Sequence, residues 1–377
     1  MFYFFIFALL FCVGLLDFSN VHESFKRCCL WFFIFLFVLL ASIRWQTGTD
    51  WNSYKSYFEF ANTFELATSG SFEAGYALLT VILKQFTSDY SVFLGVFAFV
   101  TLLIKGVTLQ YYKYSEFFLT ALLLFYCYYI GDIFPIRQSC ALAITLFSGK
   151  YIIERKPIHF LVCLYISTLF HSSSFVFVIA YPLAVVQINN KLIVFLLITS
   201  AITGYVLLSL NALNWLLFIP GMGDQAQDKL EAYTLITSQG KDARGTSMVD
   251  ANVSLITGIV RKVIVLIPII LFRKQLTARF DFFPILFNII ILGAIFYFTL
   301  GSLMPILKRG ASYFDYFEVL TLPMFVFLGK NKWQRTAIYC VIASYGFAKL
   351  YMVLSYFWDL YVPFYTIFTH NIDRVMY

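Results

Sequence analysis

The sequence predicts an all-α polytopic integral membrane protein with about 12 transmembrane helices, and three observations carry that prediction. Of the 377 residues, 61% are hydrophobic and only 12% are charged, whereas a soluble domain carries about 25% charge. Apolar runs of about 16–22 residues recur along the whole chain, the length a helix needs to cross hydrocarbon. Mean hydropathy is +0.80, more apolar surface than a soluble fold can hide behind a polar shell.

Taken in order, helices are predicted over roughly 1–17, 28–44, 72–87, 90–110, 116–131, 136–153, 157–170, 173–187, 191–210, 252–272, 284–304, 311–328 and 335–354. No internal repeat, low-complexity tract or soluble domain interrupts them, so residues 1–377 read as one polytopic membrane domain. The opening "MFYFFIFALLFCVGLLDFSN" lacks a basic leader and a small-residue cleavage site, and is expected to be a retained helix. Next comes "CCLWFFIFLFVLLASI" (28–43), whose one polar side chain is Ser42. The segment "FEAGYALLTVILKQF" (72–86) is short and carries Glu73 and Lys84, which suits a re-entrant or interfacial helix better than a span. Segments 157–170 and 173–187 are also short, and two half-helices meeting at His171 fit them equally well.

Short-loop cations set the orientation. The clusters Lys26-Arg27, Lys150/Arg155/Lys156, Arg273-Lys274/Arg279 and Lys330/Lys332/Arg335 are assigned to the cytoplasm. With 72–87 not crossing, Lys105 and Lys113 also fall inside. Arg44 and the loop 45–71, residues 132–137, His171, the loop 211–251 and Lys308-Arg309 fall outside. The loop 211–251 holds a candidate amphipathic helix around 224–237. Basic residues left on the outer side are not topology signals and require another reason.

Composition narrows that reason. The seven cysteines lie in or beside apolar runs with no CxxC and no histidine at ligand spacing, so they read as small hydrophobes. Neither DxD nor HExxH occurs. No metal and no cofactor are expected. Tyr and Trp at helix ends (Trp31, Trp45, Trp51, Trp333, Trp358) fit an interfacial belt. A net charge of +7 points to anionic lipid or a phosphorylated substrate before nucleic acid.

The candidate site residues follow. In "GDIFPIRQS", Gly131 and Pro135 break one helix and open the next. Arg137 and Gln138 then occupy its first turn, where free N–H groups and the helix dipole favour an anion. Arg44 closes the second helix ahead of "QTGTDW", in which Gly48 allows a turn with exposed N–H groups and Asp50 can hold Arg44 or act as a base. His171, between "CLYISTLF" and "SSSF", can take a proton at an external helix junction. Arg261 and Lys262 lie about ten residues into an apolar run, a costly place unless they face a polar cavity. Arg309 is a further outer cation, with Asp315 a candidate partner. Each has a plainer reading as an anchor, a snorkelling side chain or a satisfied core group. Together they suit an anion held by guanidinium groups, such as a lipid pyrophosphate.

These stretches resemble the bacterial polysaccharide polymerases of the Wzy type, in the EpsG-like branch. The carriers are "IRWQTGTDWNSY" (43–54), "FEAGYALL" (72–79), "FPIRQSCALAITLFSGKYI" (134–152), "LFHSSSFVFVIAYPL" (169–183) and, more weakly, "KRGASYF" (308–314). The resemblance implies a metal-independent inner-membrane glycosyltransferase with its active site on the periplasmic face. It would join undecaprenyl-pyrophosphate-linked oligosaccharide donor and acceptor, with a chain-length regulator as an optional partner and no nucleic acid. Arg137, Gln138, Arg44, Arg309 and Arg261 would hold pyrophosphate, and His171 or Asp50 would serve as base. The alternatives are a flippase for the same lipid-linked units and an O-antigen ligase. A flippase should show repeated halves and a cavity open to both faces.

Overall fold

The apolar runs become helices, and the structure, a computed structural model, describes residues 2–48, 50–69, 72–111, 117–210, 251–301, 303, 305–356 and 358–369. Lys113 and most of the loop 211–251, including its candidate amphipathic helix, lie outside the described residues. Among the described residues there is no β-strand, only an isolated bridge between Arg44 and Thr366. The fold is all-α and membrane-embedded. Among the described residues six helices are long and apolar enough to cross a bilayer, and five shorter apolar helices accompany them. Large apolar side chains stand exposed along these helices, for example Phe32 at 63% and Phe195 at 60%, as lipid-facing surface requires.

Two compact units emerge, residues 1–178 with 316–376 and residues 179–315. The first is built from α1 (Phe2–Gly14), α2 (Glu23–Ile43), α3 (Trp51–Phe60), α4 (Phe64–Thr68), α5 (Ala74–Lys84), α6 (Tyr90–Tyr111), α7 (Phe118–Ile133), α8 (Ile136–Ile153) and α9 (Pro157–Phe170). The return segment after residue 315 adds the long helix Lys332–Tyr356. The second unit contains α10 (Ala180–Ala184), α11 (Asn190–Ser209), α12 (Ala251–Leu271), α13 (Arg273–Arg279), α14 (Phe283–Leu300) and α15 (Pro305–Asp315). Within it Asn288 on α14 donates to the carbonyls of Ala184 at 2.8 Å and Val186 at 2.7 Å, closing the end of α10.

Several expectations need correction. The second helix begins at Glu23 and not at 28: the His22 ring accepts from the Ser24 N–H, and Glu23 pairs with Arg27 at 2.5 Å. Lys26 and Arg27 therefore sit on a helix, where polar first turns escape a hydropathy reading. The loop 45–71 is not a loop throughout, since α3 and α4 occupy it. Trp51, Tyr54, Tyr57 and Phe58 form one buried face at helical spacing, a face that reads as interfacial aromatics when only single residues are considered. Helix α5 has 11 residues, about 16 Å, too short to span about 30 Å of hydrocarbon.

Lys105 is not an exposed loop cation. It is fully buried on α6, ion-paired with Asp132 of α7, and donates to Ser139 of α8 at 3.0 Å, while Tyr316 donates to Asp132 at 2.7 Å. One ion pair thus joins three helices. Removing one partner leaves an uncompensated buried charge, which typically costs about 3–5 kcal/mol. Asp132→Ala is accordingly expected to lower thermal stability in detergent by about that amount, and the double substitution Lys105→Met with Asp132→Leu to recover most of it.

Candidate active site

The polar centre of the first unit forms where three short sequence signals converge. Pro135 precedes α8, and its carbonyl accepts the helix's first bond, from Ser139 N–H at 2.9 Å. This places Arg137 in the first turn, with Gln138 half-buried beside it. At the far end of α9, His171 adopts an extended backbone (φ −155°, ψ 110°) that stops the helix. The stop is tied by Ser174 N–H donating to the His171 carbonyl at 3.0 Å and by a Ser167–Ser174 hydroxyl contact at 2.9 Å. The third signal is Glu73, just ahead of α5, where its main-chain carbonyl accepts from Ala77 N–H at 3.0 Å and its side chain makes no capping bond to the helix.

Glu73 joins the other two. Its Oε2 accepts from Arg137 Nη1 at 2.5 Å, and its Oε1 lies 3.1 Å from His171 Nδ1. Oε1 also accepts from the Ser172 N–H at 3.1 Å and the Ser172 hydroxyl at 3.4 Å. The three side chains are mostly sheltered, with exposures of 16% for Glu73, 19% for Arg137 and 15% for His171. Burial alone would push the Glu73 carboxyl up, but the His171 hydrogen bond, the Arg137 charge and the Ser172 N–H outweigh it and hold the value at about 2. Glu73 is therefore an ionised, acceptor-only group at neutral pH. It follows that Nδ1 of His171 carries the proton in the neutral ring, and Nε2 presents a lone pair.

A floor of aromatic rings fixes Arg137. Its guanidinium lies 4.3 Å from the centre of the Phe72 ring, and Nε donates to the Tyr54 hydroxyl at 3.3 Å. Phe72 stacks on Tyr57 at 4.0 Å, and both rest against Tyr76, which is fully buried. Lys84, in the last turn of α5, clamps the end of α3 by donating to the carbonyls of Phe58 at 2.6 Å and Glu59 at 3.0 Å. The two charges that marked 72–87 as unfit to span thus have separate tasks, one in the site and one beneath it.

Gly75 lets α5 approach α9. A Cβ at this position would lie 2.7 Å from the Leu169 Cβ and 2.8 Å from the Leu169 carbonyl oxygen, so α5 would have to move. Gly75→Ala is expected to pull Glu73 away from His171 and cut turnover about tenfold or more, with near-normal membrane accumulation, as sub-ångström misplacement commonly does. Immunoblotting alongside an activity assay checks this.

The other predicted residues fall elsewhere. Arg44 is 2% exposed and turned inward: it donates to the carbonyls of Thr47 at 3.5 Å and Phe134 at 3.4 Å, and lies 4.5 Å from the Phe134 ring centre. It lines a small cavity with Thr101 and Ser139. Asp50 does not hold it; that residue is half-buried at the start of α3, where its main-chain carbonyl accepts from Tyr54 N–H. Gly48 does adopt a left-handed conformation (φ 107°), but its N–H is not exposed to a ligand, because it donates to the Leu360 carbonyl at 3.2 Å. The loop after α2 is therefore braced from within by Arg44 and from the return segment by Leu360 and Tyr365. In the second unit, Arg261 lies over the Tyr297 ring at 5.8 Å and Arg309 is exposed on α15. Asp315 pairs with Lys262 and not with Arg309. Both Arg261 and Lys262 lie well inside α12, which runs from Ala251.

The fold defines an all-α polytopic membrane protein whose first unit gathers a guanidinium, a carboxylate and an imidazole at helix termini. The chain belongs to the EpsG family, whose sequence profile matches residues 26–366. Neither a curated protein nor a solved structure matches it. Family membership carries a polymerase-type, glycosyltransferase-like role in polysaccharide biosynthesis at a membrane.

Proposed function

We propose that the protein polymerises undecaprenyl-pyrophosphate-linked oligosaccharide repeat units at the periplasmic face of the bacterial inner membrane. The observation that carries this reading is the meeting of Arg137 and His171 on Glu73: an anion-binding group and a proton acceptor on opposite sides of one carboxylate.

In the reaction, the bond between the donor's anomeric carbon and the pyrophosphate oxygen breaks as an acceptor sugar hydroxyl attacks that carbon. The hydroxyl proton passes to His171 Nε2, a glycosidic C–O bond forms, and undecaprenyl pyrophosphate departs with the bonding electron pair. Arg137 stabilises the charge on the departing pyrophosphate from the first turn of α8, with Gln138 as a further donor. Glu73 holds the imidazole in the accepting tautomer. Arg44 contributes by bracing the loop and not by touching the ligand. No metal is assigned a step.

The test is reconstitution. Purified protein in liposomes, given lipid-linked repeat units and EDTA, is expected to yield lipid-linked products of two and more units. Movement of single units across the bilayer without lengthening would make it a flippase. Transfer to a lipid A-core acceptor would make it a ligase.

A further inference from the structure

Glu73 occupies the place an incoming anion needs. Its Oε2 neutralises Arg137, while its Oε1 rests on three donors of its own: His171 Nδ1, the Ser172 N–H and the Ser172 hydroxyl. Each carboxylate oxygen thus has a separate set of partners, and releasing one set leaves the other intact. Among the described residues, Nη2 of Arg137 has no hydrogen-bond partner, so a ligand oxygen can engage the guanidinium before Glu73 lets go. The Glu73 carboxylate offsets the Arg137 charge in the resting site, and the pair is a poor seat for a polyanion.

We infer that Glu73 is a shared positioning residue: it guards Arg137 in the empty site, and the substrate's pyrophosphate displaces it so that it serves His171 alone. This rests on the reading of Arg137 and His171 given above. Pyrophosphate takes over the guanidinium, Oε2 swings off Nη1, and the carboxylate stays anchored through Oε1. No covalent bond changes. The consequence is order: the imidazole gains sole use of its orienting carboxylate only when a leaving group is seated.

The inference makes opposite predictions for affinity and turnover. Glu73→Gln keeps the shape but removes the competing charge from Arg137. Inorganic pyrophosphate should bind the purified variant about tenfold more tightly than wild type, a usual size for two ligands coupled through one group. The KM for the lipid-linked donor should fall in parallel, while kcat drops because His171 loses its ionised partner. A carboxylate that merely builds the site would lower kcat and weaken pyrophosphate binding together, and that result overturns the inference.

Should Glu73→Gln fail to accumulate, His171→Ala provides the second measurement. It takes away the partner to which Glu73 retreats, so pyrophosphate affinity should fall at least about threefold through the lost coupling; unchanged affinity overturns the inference. If wild type ignores pyrophosphate and Arg137→Ala retains full activity, the pyrophosphate reading itself falls and the handover with it. Retained wild-type binding with no tightening in Glu73→Gln removes the handover alone.

Discussion

Arg137→Ala is expected to abolish the surface polysaccharide ladder in a strain where this protein is the sole polymerase, leaving the lipid A-core capped by a single repeat unit. In the proposed reaction the leaving group is a pyrophosphate whose charge grows as its bond to the donor's anomeric carbon breaks. One preorganised cationic donor at such a position is worth about 3–4 kcal/mol of barrier, a rate loss of about 10²–10³. The variant should still accumulate. Glu73 keeps His171 and the Ser172 N–H as partners, and the Phe72–Tyr57–Tyr76 stack does not depend on the guanidinium. Arg137→Lys should recover only part of the ladder, because a point charge does not reproduce a planar fork that holds the Tyr54 hydroxyl and Glu73 at once. A full ladder in Arg137→Ala would remove the residue from the mechanism. Loss of the single-unit cap as well would indicate failure at flipping or ligation.

The parts of this site that were legible in the sequence were those expressed locally. Pro135 followed by Arg137 at a helix start, and a histidine between two short apolar segments, are visible as punctuation in hydropathy. Helix bounds such as 136–153 and 157–170 follow directly from it. What stayed hidden was pairing. Glu73 is legible only as a charge unfit for a bilayer, because its partners lie 64 and 98 residues further along the chain. The sequence signal that could have found it is Gly75: a glycine two residues past a carboxylate, at the start of a helix, permits the close approach that brings Glu73 to His171. The inward turn of Arg44 was hidden for the converse reason. A cation at a predicted external boundary looks available to a ligand, yet a guanidinium can turn inward onto carbonyls and ring faces, even with its Nε left unpartnered, and such contacts leave no mark on sequence spacing. Lys105 and Asp132 illustrate the same limit, since charge counting by loop treats each as an isolated topology signal and cannot see an ion pair across α6 and α7.

His171→Asn and His171→Ala should separate two jobs that one imidazole performs. Because Glu73 is ionised and accepts only, its neighbour must offer an N–H. The side-chain amide of Asn places an N–H close to where Nδ1 stands, so Glu73 retains a partner in that variant. It has no lone pair basic enough to take the proton of a sugar hydroxyl. His171→Asn is therefore expected to lower kcat by about 10²–10⁴, the usual contribution of a positioned general base, with pyrophosphate affinity close to wild type. His171→Ala should lose a similar amount in kcat and, in addition, weaken pyrophosphate binding, since the carboxylate then has less reason to leave Arg137. Measuring kcat with lipid-linked units and binding with inorganic pyrophosphate on the same preparations gives the comparison. An active His171→Asn would move the proton to another acceptor, with Asp50 the next residue to replace. Equal loss of affinity in both variants would show that the ring contacts the anion directly, and that Glu73 does not mediate between them.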